Sequence, residues 1–144
     1  MLMSDRLVAL NDVLTLAAEL SELYAAEQQA LEQPEAQNLF KRLAGERAKL
    51  AEAATDMIRA DDERPRSPDP EHETLEELIS DVSAALSDDA TQTLAKQRAE
   101  QEQRLLSALT AAVKVEEDTA AAERLRGYRD QVQSDIDSLN QLHG

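Results

Sequence analysis

Across 144 residues the chain carries 30 acidic and 15 basic side chains, for a formal net charge of -15, beside a hydrophobic content of 42%. Proteins engage phosphate backbones and anionic headgroups through Lys and Arg, so this balance excludes nucleic acid and membrane surfaces as expected partners. With no cysteine anywhere, disulfide, zinc-thiolate and thiol chemistry are excluded as well.

A chain of this length can bury a core within one domain, residues 1–144. Its apolar content is dominated by 24 Ala and 21 Leu, against two Tyr, one Phe and no Trp, which is the composition of closely packed helices rather than of a core plugged by large rings. No apolar run approaches the roughly 18 residues of a spanning helix. The opening residues, Met1 to Arg6, carry no signal-peptide pattern, so a cytoplasmic location is expected.

The spacing predicts a first helix over residues 4–33, in which Leu7, Leu10, Leu14, Ala17, Tyr24 and Leu31 recur at three and four residues and Val13, Leu16, Leu20 and Leu23 widen the stripe. Pro34 marks a turn and suits the first turn of a second helix, where its missing N–H costs little and Glu35 complements the dipole. That helix, residues 35–60, has Leu39, Phe40, Leu43, Leu50, Ala54, Met57 and Ile58 on its apolar face. Pro65, Pro68 and Pro70 fall within residues 61–73 and make that stretch a linker. Thr74 and Glu77 then form a capping-box pattern opening a short amphipathic helix over 74–86, with Leu75, Leu78, Ile79, Val82 and Leu86 on one side. After the Ser87-Asp88-Asp89 interruption, a long helix is predicted over 89–114 and a last one over 118–142, capped by Asp118 and faced by Leu125, Tyr128, Val132, Ile136, Leu139 and Leu142. Two helical hairpins joined by a longer crossover give an all-α, antiparallel four-helix bundle with an extra short helix in the crossover.

Several segments resemble the start of an uncharacterised bacterial family of ferritin-like four-helix bundles: Leu10-Asn11-Asp12-Val13-Leu14, Leu23-Tyr24-Ala25-Ala26, Pro34-Glu35, and Leu39 to Ala48. The resemblance is strongest over residues 7–60, and beyond them it lies in layout more than in residues. It implies a ferritin-like fold and, through some relatives, a link to bacterial stress responses, with no reaction attached.

An acidic four-helix chain invites a di-metal carboxylate reading. Such a site takes one Glu from each of two helices and Glu-x-x-His from the other two, since i and i+3 project from one helical face. Here Lys49 stands where the histidine after Glu46 would fall, and Gln133 where the one after Asp130 would fall. Gln101 takes the place of a third-helix glutamate, although Glu100 and Glu102 flank it. The only histidines are His72, in the Pro-rich linker, and His143, next to the end. An atypical Fe or Mn site would have to draw on Glu19, Glu22, Glu46, Glu100, Glu102 and Asp130. The alternative expectation is no metal, no cofactor and a solvated acidic surface.

Between Leu94 and Leu105 no large hydrophobe occurs, so polar residues must face inward there: Gln97 or Arg98, and then Gln101. Counting from the turns sets Arg98 level with Asp135, and Arg47 near the Glu22 level of the first helix. The expectation is a polar layer of Arg47, Arg98, Gln101 and Asp135, with Arg98 paired to Asp135 and Arg47 to a first-helix carboxylate. In the competing arrangement both arginines lie along the bundle edge, with only their stems buried. Gly45 and Gly127 interrupt strong helices, either for close helix approach or as tolerated surface positions.

No nucleophile motif, phosphate loop or well-placed general base is present, so an enzyme is not expected. The leading expectation is a non-catalytic interaction or structural protein, with the short helix suited to docking a protein partner or a second copy as a homodimer. The atypical metal protein is the second reading. An acidic chaperone or adaptor for a basic partner is the third.

Overall fold

The computed structural model describes residues 4–60 and 90–143, and these are helical almost throughout. In chain order they form α1 (Asp5–Glu27), a 3-10 turn (Gln28–Ala30), α2 (Pro34–Arg59), α3 (Ala90–Val115) and α4 (Thr119–His143). The expected linker over 61–73 and short helix over 74–86 lie outside the described residues.

Local chemistry sets the helix ends. Ser4 caps α1 by accepting a 3.2 Å hydrogen bond from the Leu7 N–H, with Asp5 in the first turn. The first helix ends earlier than its apolar repeat suggests. It stops at Glu27 and tightens into the 3-10 turn, after which Leu31 is extended (φ -85°, ψ 133°) and buried. Pro34 sets the far side of the turn: its ring clashes with a helical predecessor, so Gln33 is held at φ -78°, ψ 124°, and α2 begins with proline in its first turn. At the other turn, the Asp118 carboxylate accepts from the Ala121 N–H at 3.2 Å and caps α4.

α1 packs extensively on α2 and α3, and α4 on α3, while α2 and α4 share a much smaller seam. The core is a continuous stack of Leu, Ala, Val and Ile. Its one aromatic pair is Tyr24 edge-on to Phe40, with ring centroids 5.1 Å apart. Arg6 binds Glu116 at 2.8 Å and the Met57 carbonyl at 3.3 Å, so the start of α1 and the ends of α2 and α3 share one end of the bundle. At 26 residues α3 spans about 39 Å. The start of α3 therefore lies at the bundle end opposite to the end of α2.

Neither glycine serves a close approach. A Cβ built on Gly45 or Gly127 meets nothing within 4 Å, and both positions are exposed. Both are surface glycines.

Candidate functional site

All four helices contribute buried charge to the interior. Relative exposures are 2% for Glu27 of α1, 2% for Arg47 of α2, 7% and 0% for Arg98 and Glu102 of α3, and 1% for Asp135 of α4. Long ionisable side chains are almost never buried to this degree unless they are paired. Each occupies the next step of an apolar stripe: Glu27 follows Leu20 and Tyr24, Arg47 lies between Leu43 and Leu50, Arg98 and Glu102 lie between Leu94 and Leu105, and Asp135 lies between Val132 and Leu139.

Arg47 is the hub. Its Nε donates to both Glu102 carboxylate oxygens at 2.9 Å, and its Nη2 donates to Glu102 Oε2 and, at 2.7 Å, to Asp135 Oδ2. The other Asp135 oxygen accepts from Arg42 at 3.1 Å and from Gln131 at 3.0 Å. One guanidinium thus fastens α2 to α3 and α4, using the planar fork that suits carboxylates. Burial alone would lower the Arg47 pKa, but the hydrogen bonds and charge of Glu102, joined by those of Asp135, outweigh it, and the net shift is upward. Arg47 is a fixed cation. Burial also raises the Glu102 carboxyl pKa, with Arg47 opposing and Asp135 adding to the rise.

The second pair is looser. Arg98 Nε lies 3.5 Å from Glu27 Oε1 without hydrogen-bond geometry, and both atoms lack any hydrogen-bond partner. Burial pushes the Glu27 carboxyl up to about 7, a rise that Arg98 only partly opposes. Between the two pairs stands Tyr24, fully buried, its hydroxyl unpartnered. Its pKa is held well above the ordinary value by burial first, then by Glu102, while Arg47 and Arg98 pull the other way. The phenol stays protonated. Counting Arg42 at the edge, three guanidiniums face three carboxylates, so the cluster is neutral when all three acids are ionised.

Arg47, Arg98 and Asp135 lie in the interior, and Gln101 is half-buried with its Oε1 unpartnered. The partners differ from the expected ones. Arg98 faces Glu27 rather than Asp135, and Arg47 takes Glu102 and Asp135 rather than an α1 carboxylate. The cause is the register of α3: residues 98 and 102, four apart, share the inward face, while Gln97 points to solvent. Glu102, expected to flank Gln101 or to serve an atypical metal site, is the most deeply buried charge among the described residues, and Glu27 was not expected inside at all. Stepping back from Leu105 by three and four residues finds Glu102 and Arg98, and stepping on from Tyr24 finds Glu27.

The carboxylates of the atypical metal reading do not converge. Glu22, Glu100 and Asp130 are exposed, Glu19 and Glu46 are half-buried, and only Glu102 reaches the centre. Among the described residues no three His, Cys, Asp or Glu side chains are grouped so as to hold an ion. The donor set does not fit a di-metal centre, because the two carboxylates at mid-bundle are already directed at a guanidinium. Arg47 binds both. Among the described residues no helix is long and apolar enough to cross a membrane.

No protein-family model, curated protein or solved structure matches this chain.

Proposed function

We propose that this chain is a ferritin-like, antiparallel four-helix bundle that works without catalysis, as a cytoplasmic structural or interaction protein. The observation that carries the reading is the Arg47 clamp: a fixed cation, bonded to Glu102 and Asp135, neutralises the mid-bundle carboxylates as a metal otherwise would. Buried ion networks of this kind specify register and partner choice among helices, since desolvation offsets much of their attraction. The topology supports the ferritin-like frame. α2 and α3 finish at the same end of the bundle, as the second and third helices of a two-hairpin bundle with a long crossover do.

With the interior closed by its own charges, function falls to the surface. The charge of -15 suits a basic protein partner, reached by electrostatic steering. The family resemblance adds a stress-linked role in bacteria. The test is elemental analysis of protein purified from iron- and manganese-supplemented cells and dialysed, for the wild type and Arg47→Ala. The reading expects wild type with substoichiometric metal. Wild-type protein holding one or more equivalents through dialysis would overturn it in favour of the metal protein. A salt-sensitive complex with a basic protein, seen by chromatography at low and high ionic strength, would support the interaction role.

A further inference from the structure

The two buried ion pairs share one layer of the bundle but are built in opposite ways. Arg47 donates four hydrogen bonds to its two carboxylates. Glu27 and Arg98 approach to 3.5 Å yet make no hydrogen bond to each other, and Glu27 Oε1, Arg98 Nε and Arg98 Nη1 are all buried and unpartnered. The hydroxyl of Tyr24 and Oε1 of Gln101 are also buried without a partner. Only Nη2 of Arg98 is satisfied, by Gln97 Oε1 at 3.3 Å, and Gln97 is exposed. The guanidinium therefore stands at the edge of the seam with a path to water.

We propose that Glu27 and Arg98 form a proton-operated latch across the α1–α3 seam: ionised Glu27 holds Arg98 in the bundle, and protonated Glu27 releases it to solvent beside Gln97. A buried guanidinium without a counter-ion is far costlier than a buried neutral carboxyl, so proton uptake leaves Arg98 the member that must move. The charged groups that bear on the latch come from three helices. Arg98 of α3 faces Glu27 directly, and Tyr24 of α1 lies within the fields of Glu27, Arg98, Glu102 of α3 and Arg47 of α2. Asp135 of α4 enters only through Arg47, whose bonds to Glu102 and Asp135 keep the clamp closed while the latch opens. Burial brings the Glu27 carboxyl to about 7, so the latch operates near neutral pH.

Tyr24 is a native reporter. The chain has no Trp and two Tyr, so Tyr128→Phe leaves Tyr24 as the sole tyrosine. In full-length Y128F, Tyr24 emission is expected to titrate once between about pH 5.5 and about pH 8.5, and Glu27→Gln is expected to remove that transition. In the unaltered chain, the Glu27 carboxyl carbon followed by NMR should titrate with the same midpoint, which keeps the test decisive if E27Q does not fold. Solvent exchange of the Arg98 Nε–H should rise by roughly tenfold or more below that midpoint. A Glu27 carboxyl that titrates near the ordinary carboxylate range, an emission transition that survives in folded E27Q, or equal Arg98 protection on both sides of the midpoint would each overturn the latch.

Discussion

At the scale of single residues, the interior is decided by how a few charges are satisfied. Replacing Arg47 by Met leaves Glu102 and Asp135 buried without their cation, a change expected to cost about 3–5 kcal/mol of stability. The loss should be larger at pH 8 than at pH 5, because a carboxyl already raised by burial escapes by taking up a proton. Denaturant titrations of R47M at the two pH values check both points. Glu27 makes a separate contribution. Its folded pKa of about 7 exceeds the ordinary 4.5, so the native state holds the proton more firmly than the unfolded chain does. The stability it supplies is full below the unfolded value and is lost as pH rises to about 7, with a slope of up to about 1.4 kcal/mol per unit. Glu27→Gln should flatten that slope in a series of thermal melts and leave the protein more stable than wild type above neutrality.

Individual elements carry their own tests. Gly127 and Gly45 stand mid-helix with open space where a Cβ would go. Ala at either position should therefore raise stability by about 0.5–1 kcal/mol, read as an upward shift of the thermal midpoint. A loss instead would reveal a neighbour that approaches either surface. At the head of α4, Asp118→Ala removes the carboxylate that accepts from Ala121 and should cost about 1 kcal/mol, with Asp118→Ser losing much less. The elements also separate what was legible from what was not. Apolar spacing and the position of Pro34 read directly as helices and a turn, because both act within a few residues. The end of α1 at Glu27 was less legible, since Leu31 continues the apolar repeat although its backbone is already extended. The buried charges were half legible. The missing hydrophobes between Leu94 and Leu105 announce a polar layer, but which of Gln97, Arg98, Gln101 and Glu102 enters it turns on a rotation of α3 that only packing against α1 and α4 sets.

For the whole molecule, the acidic surface and the balanced interior respond differently to ionic strength. A net charge of -15 strains the compact state by self-repulsion, and screening relieves it. The clamp around Arg47 is buried and is screened far less. Raising salt from low to physiological strength should therefore increase the thermal midpoint of the wild type, while the difference between wild type and R47M should hardly change; paired melts across a salt series measure both. Composition and periodicity by themselves determined that this chain is helical, acidic and without thiols, and where most helices begin, because those properties follow from neighbours along the chain and from summed charge. Only the tertiary structure decided that Arg47 meets Glu102 and Asp135, that Arg98 meets Glu27, and that the acids considered for metal stay apart. Contacts between helices depend on their mutual rotation and offset, and a shift of one residue, about 100° around a helix, exchanges an inward charge for an outward one.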